Sequence, residues 1–524
     1  MNMNEPMLTA WGPTGWLVRW LRDGAGAVHG MSRRLAEDPP DGLEEWIPSF
    51  SSVLLRFRGR APAESSLREW MGPSRESWPI PGVGRTVEVP VRYDGPDLEE
   101  VARRAGLSVG ETVRRHAGGQ YRVRCLGFSP GFAYLEGLDP ALRMPRRDTP
   151  RTRVRVGSVA IGGEHAGIYS VPSPGGWHLL GSTSRRLFDP EAVRLADRFP
   201  LEPGDRVQFV ETKESGVEPT EGTPWVSPGV PWLRVLTTGA VLGVQDGGRP
   251  GWGRFGVPVG GALDLVAAHW ANRLLGNDDG AGVLEFAGGG QSFEALTHVT
   301  VSVTGADAGA EIRGVDGMIR PVRAWSTQTL LPREVLMFRG SRLAVWTYLG
   351  LAGGVVAPRV LGSVSLNRRA SLGAAPNPGE TVSGRAPDSL VAGGTASRWV
   401  DTTRLPSCAS GPIRVWPGPQ ADGFDPAALK AFFRSVWRVS PRSDRVGYRL
   451  EGTPLVVPSM SMESEPVLPG SIQVPPDGLP IVTMPDGPTM GGYPKIGWVD
   501  PRDLARVAQT PAGRPIQWVP VGWD

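Results

Sequence analysis

Lys495 is the residue whose setting most directly suggests chemistry. It closes the run Gly491-Gly492-Tyr493-Pro494-Lys495 and is one of only three lysines, with Lys213 and Lys430, among 56 basic residues. In a chain that otherwise uses arginine, a retained lysine points to a need for a compact ammonium, the alternative being that three lysines survive by chance. His178 follows a similar run, Gly175-Gly176-Trp177, and His116 lies near a helix end. Either imidazole suits general acid–base work, the alternative being a structural hydrogen bond. Arg146, Arg147, Arg151 and Arg153 form a Pro-punctuated basic strip, suited to bidentate recognition of carboxylate or phosphate or else to a solvated face. Gly175 and Gly176, like Gly127-Phe128-Ser129-Pro130-Gly131, let backbone amides approach an anion or merely turn a corner.

In the second half, Gln245, Asp246, Arg249 and Asp264 lie on or beside Gly-rich turns. Asp264 reads both as a candidate catalytic carboxylate and as the N-cap of the helix behind it. Ser443-Asp444-Arg445 with Tyr448 concentrates charge beside an aromatic ring, as a binding group or a structural ion pair, and Tyr493 is a candidate pocket wall. No spacing of Cys, His or acidic residues suggests a metal centre.

These residues are carried by a chain of 524 residues with 71 Gly and 52 Pro, nearly a quarter of the total. The usual values are about 7% and 5%, so the composition excludes a helical bundle and calls for many turns and short strands. With 40% hydrophobic residues, each of about three domains can bury its own core. None of the lysines sits in a Walker A loop. A net charge of +3, with signs interspersed, argues against nucleic-acid binding. Cys125 and Cys408 offer neither a disulfide framework nor a zinc cluster. No signal peptide or long apolar run is present, so the expected location is the cytoplasm, without a membrane partner.

Alternation at Val87, Val89, Val91 and Tyr93, and at Val299, Val301 and Val303, predicts half-buried strands. Asp97 with Glu100 and Ser108 with Glu111 have capping-box spacing. Asp189-Pro190, Asp425-Pro426 and Asp500-Pro501 have the N-cap then N1 form, and Asp264 precedes an amphipathic run ended by Gly276. Two stretches, 214–231 and 402–412, read as linkers. The first module, from Gly157-Ser158 to Gly175-Gly176-Trp177, is echoed from Gly470-Ser471 to Gly491-Gly492-Tyr493, which predicts similar barrels at the two ends.

The segments HAGGQYRVRCLGFSPGFAYLEGLDP and GSVAIGGEHAGIYSVPSPGGWHLLGST resemble the allophanate-hydrolase-subunit-1-like family, which includes the B subunit of 5-oxoprolinase and Kip-type kinase inhibitors. From about residue 232, TTGAVLGVQDGGRPGWGRFGVPVGGALD, LEFAGGG, SDRVGYRLEG, GSIQVPPDG and TMGGYPKIG resemble the subunit-2-like family, which includes the C subunit of 5-oxoprolinase. The chain thus resembles a fused B–C pair.

The resemblance implies a mainly β protein with a small α/β N-terminal domain and cyclophilin-like β-barrels, one in the first half and a tandem pair in the second. The expected division is a B-like half spanning 1–217 (small domain about 1–110, barrel about 111–217), a linker 218–231, and a C-like half spanning 232–524 with barrels about 232–400 and 411–524. The activity implied is ATP-dependent opening of 5-oxo-L-proline to L-glutamate, with Mg as the nucleotide's counter-ion and a separate A-type subunit as partner. Homo-oligomerisation stays open. A second implied reading is carboxyl transfer to urea or a related amide; no lysine here is flanked by Met, so no covalently attached biotin is expected and carboxybiotin would come from another chain. A third is a non-enzymatic regulator of a sensor histidine kinase. The sequence departs from the family pattern at Arg155, Ser170, Val364 and Leu366. The last two remove a cation and a hydroxyl from a usually polar loop, which would alter the substrate if that loop contacts it.

Overall fold

The computed structural model describes residues 5–21, 24–72, 84–214, 223–385, 397–405, 411–459 and 462–523. Its first unit is a four-stranded antiparallel sheet in the order Met7–Trp11, Gly15–Arg19, Ser52–Phe57, Leu43–Pro48, covered by the helices Gly24–Glu37 and Glu64–Met71. Its boundary lies earlier than the expected residue 110. The strand Thr86–Val91 pairs in parallel with Arg206–Glu211 and so belongs to the next unit. The alternating valines explain this, because Val87, Val89 and Val91 bury into that unit's core.

The second unit is a seven-stranded sheet running from His178–Ser182 to Thr86–Val91, and it closes where Arg92 pairs with Ser182. Helices Leu98–Ala105 and Val109–Ala117 cover it. Ser108 caps the second of these, its hydroxyl accepting from the Glu111 amide at 3.1 Å. Asp97 makes no such bond, because its carboxylate is drawn to Arg147, Arg151 and the Leu179 amide instead. Asp425 and Asp500 cap the helices Pro426–Arg434 and Pro501–Ala508. Asp189-Pro190 opens only a turn: the Asp189 carboxylate accepts the Glu191 amide, while the Asp189 amide donates to the Arg198 carbonyl and folds the segment back.

The middle unit splits into a seven-stranded and a five-stranded sheet, joined at an isolated bridge between Gly282 and Val355, around one apolar core. The last unit is an eight-stranded sheet whose edges, Pro515–Ile516 and Trp518–Pro520, are consecutive in sequence, so that it closes on itself. The expected linkers lie partly outside the described residues, as does Cys408. The described stretch of the first is packed: Trp225 Nε1 donates to the Thr381 carbonyl at 3.0 Å and the Ser227 hydroxyl to the Val356 carbonyl at 2.7 Å. No helix among the described residues is long and apolar enough to cross a membrane.

The N-terminal unit docks on the C-terminal half of the chain. Trp11, Leu17, Ile47 and Leu54 share one buried cluster with Leu468 and Trp498 of the last barrel. Glu45 accepts the amides of Gly251 and Gly253 in the middle unit at 3.0 and 2.7 Å. The second unit closes the junction, with so tight an approach that a Cβ on Gly127 would lie 2.4 Å from Met490 Sδ, and one on Gly256 2.3 Å from the Ser129 carbonyl oxygen. Three motif loops therefore meet where three units meet.

Candidate active site at the barrel junction

Lys495 begins the strand Lys495–Val499, which pairs with the Gly-Ser strand Ser471–Gln473. His178 begins the strand His178–Ser182, which pairs with the Gly-Ser strand Ser158–Gly162. The two residues thus occupy equivalent corners of the two end barrels, as the repeat suggests. Lys495 is fully buried. Its Nζ lies 3.5 Å from Glu465 Oε2, and its amide donates to Gln420 Oε1 at 3.1 Å. Gln420 Nε2 donates to the same Glu465 oxygen at 2.6 Å, and Arg19 from the N-terminal unit donates to the other through Nε at 2.8 Å. Burial pushes the Lys495 ammonium below the ordinary lysine range, with Glu465 opposing and Arg19 adding to the shift.

A second buried cluster ties the middle unit to the last barrel. Arg445 forks onto Asp486, with Nε to Oδ2 at 2.8 Å and Nη2 to Oδ1 at 3.1 Å, and also bonds Glu285 and the Gly261 carbonyl. Glu285 accepts from the Leu263 amide and the Tyr348 hydroxyl, each at 2.8 Å. Burial raises the Glu285 carboxyl even against Arg445, whereas for Arg445 the two carboxylates outweigh burial and hold the guanidinium above its usual range. Asp264 is the N-cap of Leu265–Leu275, accepting the Ala267 amide at 3.0 Å, and its other oxygen accepts Gln509 Nε2 at 3.0 Å. Tyr448 accepts from Trp346 Nε1 and donates to the Ala508 carbonyl. A cleft of about 570 Å³ opens beside the cluster, with Asp264, Trp325, Gln509 and Arg506 in its lining.

Several expected site residues have structural employment. His116 is buried against Phe209 and Tyr121, with Nδ1 2.8 Å from the Tyr93 hydroxyl, and burial pushes its pKa down to about 3. This sealed, neutral imidazole is a core residue, correcting its reading as an acid or base at a site. His178 Nε2 meets the Pro145 carbonyl at 3.0 Å. Arg151 donates through Nη2 to Asp97 at 2.7 Å, while its Nη1 has no partner among the described residues; Arg153 is exposed and Arg146 lies over Trp177 at 5.9 Å. Gly175 exists for closeness to Tyr169, whose hydroxyl would be 2.1 Å from a Cβ there, and the Gly176 carbonyl accepts the Arg147 amide. Asp246 accepts the Ser365 hydroxyl at 2.6 Å, the Gly248 amide at 2.8 Å and the Val364 amide at 3.0 Å, so it is a loop tie. Gln245 donates to the Leu366 carbonyl, and Asp444 accepts the Val446 and Gly447 amides in a local turn. Arg249 is buried and bonds the Val360 and Ser365 carbonyls; its Nη1 has no partner among the described residues, and burial brings its pKa down to about 10. Tyr493 is exposed. Val364 lies in the middle core and Leu366 against Gly243, so these departures from the family pattern point inward.

The residues that sequence reasoning missed are the carboxylates Glu285 and Glu465 and the guanidinium of Arg19. Glu285 had a signal, a charge inside the apolar run Val283-Leu284-Glu285-Phe286; Glu465 and Arg19 had none.

The carboxyltransferase domain family, subdomains C and D, matches residues 7–196, and subdomains A and B match residues 255–520. The chain belongs to this family. Its C-terminal half is 36% identical to the 5-oxoprolinase C subunit of Escherichia coli (strain K12) over 295 residues, 55% of this chain and 90% of that protein. Its N-terminal half is 39% identical to the 5-oxoprolinase B subunit of Escherichia coli O157:H7 over 191 residues, 35% of this chain and 84% of that protein. This carboxyltransferase-domain chain is therefore a B–C fusion by sequence. The crystal structure of TTHA0988 superposes with a TM-score of 0.85 at 34% identity, covering 96% of this chain and 99% of that one. Similarity to urea amidolyase of Saccharomyces cerevisiae is more distant, 27% over 331 residues, 56% of this chain and 17% of that protein.

The buried His116 has a measurable consequence for this carboxyltransferase-domain protein. With a folded pKa of about 3 and an unfolded one near 6.5, its neutral form is native. Its contribution is complete above pH 6.5 and is lost at about 1.4 kcal/mol per unit as pH falls from there toward 3. Thermal melts at pH 7 and pH 5 should differ less for His116→Gln than for the wild type; equal pH dependence would refute the assignment.

Proposed function

We propose that the chain is the B–C component of an ATP-dependent 5-oxoprolinase, acting in the cytoplasm with an A-type partner subunit. The observation that carries this is the match of both halves, in one chain, to most of the length of the B and C subunits. The reaction breaks the ring C–N bond of 5-oxo-L-proline. Two waters are consumed: after the phosphoryl group passes from ATP to the lactam oxygen, leaving ADP, one water adds to the ring carbon and the C–N bond breaks to give an amine and an acyl phosphate, and the second water releases phosphate from it to leave the carboxylate.

A lactam carbonyl is a poor electrophile, and phosphorylation of its oxygen makes the ring carbon open to water. The site then needs cations for phosphate, amide donors for developing charge and a group to move a proton. Lys495, buried and loosely paired, supplies the proton for the departing ring nitrogen. Exposed Arg146 and Arg153 are available for anionic groups.

With the A-type subunit, ATP and Mg²⁺, the protein should release glutamate and ADP from 5-oxoproline. Bicarbonate-dependent ATP use with urea and a biotin carboxylase, in the absence of 5-oxoproline turnover, would overturn this reading in favour of carboxyl transfer.

A further inference from the structure

Lys495 is the last barrel's buried lysine, yet the network around it reaches into the N-terminal unit. Glu465 is the hub. Its Oε1 takes two contacts from Arg19, Nε at 2.8 Å and Nη2 at 2.8 Å, and its Oε2 takes Gln420 Nε2 at 2.6 Å. Lys495 Nζ is left with the longest contact, 3.5 Å to that same Oε2, its sole ion pair among the described residues. Gln420 also fixes the lysine's backbone, its Oε1 accepting the Lys495 amide at 3.1 Å. A buried ammonium with one long contact has N–H groups unspent, while the carboxylate beside it is already well satisfied.

We infer that Arg19 is a positioning residue for Lys495: by clamping Glu465 from the N-terminal unit, it keeps that carboxylate from closing into a tight pair with the lysine and leaves the buried amine's N–H groups unspent. The charged groups acting on Lys495 are Glu465, from the segment Glu465–Pro466, and Arg19, from the strand Gly15–Arg19. The two have opposite signs, so their removal must act in opposite directions. Without Arg19 a repelling cation disappears and Glu465 is freed toward the lysine, and both changes favour the ammonium. Without the Glu465 charge, burial and Arg19 act unopposed and favour the neutral amine. The docking of the N-terminal unit thereby sets the state of a side chain more than 400 positions away, so the B-like half is required for the C-like half's lysine to be usable. The identity of the substrate rests on the 5-oxoprolinase reading; the clamp does not.

The scarcity of lysine makes the test direct. In the full chain labelled with 13Cε-lysine there are three signals, of which Lys213 and Lys430 are exposed references and are assigned by substitution to arginine. Arg19→Gln should move the Lys495 titration midpoint upward by about one pH unit and Glu465→Gln should move it downward, with Arg19→Lys restoring most of the wild-type value. An unmoved midpoint in Arg19→Gln would overturn the clamp. So would an upward shift in Glu465→Gln as well, since mere loosening of the interface exposes the lysine in both variants. With the A-type subunit present, the pH limb of 5-oxoproline turnover should follow the Lys495 midpoint. Opposite NMR shifts without any turnover would retain the clamp and discard the substrate.

Discussion

Lys495→Met should lower 5-oxoproline turnover by the assembled complex at least about 100-fold, the usual worth of a positioned proton-transfer group, while leaving the protein as stable as before or more so. The second half of this expectation follows from the geometry. Lys495 is fully buried and has a single 3.5 Å contact to set against its desolvation. Glu465 loses little when the lysine goes, because Arg19 at 2.8 Å and Gln420 at 2.6 Å remain on it. Methionine fills a similar volume without a charge, and because Glu465 keeps a cation in Arg19, the exchange leaves no uncompensated buried charge and is expected to be neutral or stabilising by up to about 2 kcal/mol. Gain of stability with loss of activity is the signature of a functional residue held at a cost to the fold. Turnover and thermal melting measured on the same preparation decide it. Unchanged turnover would remove Lys495 from the mechanism, and a large fall in melting temperature would make it a structural residue.

Arg445→Ala is expected to have the opposite profile, a loss of about 3–5 kcal/mol of stability, because it strands two buried carboxylates at once. Glu285 and Asp486 have side-chain exposures of 1% and 6%, and Arg445 is the cation between them. The same guanidinium bonds the Gly261 carbonyl at 2.7 Å, so its loss also loosens the last barrel from the middle unit. Glu285→Gln added to Arg445→Ala should recover some of the loss, since a neutral amide tolerates the site that an unpaired carboxylate does not. Chemical denaturation of the single and double variants gives the coupling directly. A change below about 1 kcal/mol for Arg445→Ala would refute the reading of this cluster as a buried lock.

Both results turn on ion pairs that join distant regions of the chain, and this is where sequence reasoning stops. Helix starts at Ser108, Asp264, Asp425 and Asp500 were legible because a cap and the amide it satisfies lie within three residues of each other. The strand Thr86–Val91 was legible from its alternation, but its partner was not: it pairs with Arg206–Glu211 across more than 100 positions and so moved the boundary of the second unit. Among the site residues, Lys495 stood out by rarity and by its repeat. For His116 and Arg151, local sequence holds nothing to show that one is sealed in a core and that the other pairs with Asp97.

From sequence alone came the mainly β character, the repeat relating the end barrels and the candidacy of Lys495, and, through the resemblance to a known family, the B–C order of the halves. Each depends on composition, periodicity or motif, which are properties of contiguous residues. Only the tertiary structure decided that Lys495 is buried, that Glu465 faces it, and that Arg19, 446 positions from Glu465, holds that carboxylate. The same is true of Arg445 and Glu285, 160 positions apart. A salt bridge needs only that two charges arrive at one point in space, and neither charge leaves a mark on the residues beside its partner. Burial then determines what the pair is worth, because the desolvation cost and the strength of attraction both follow from packing contributed by separate units of the fold.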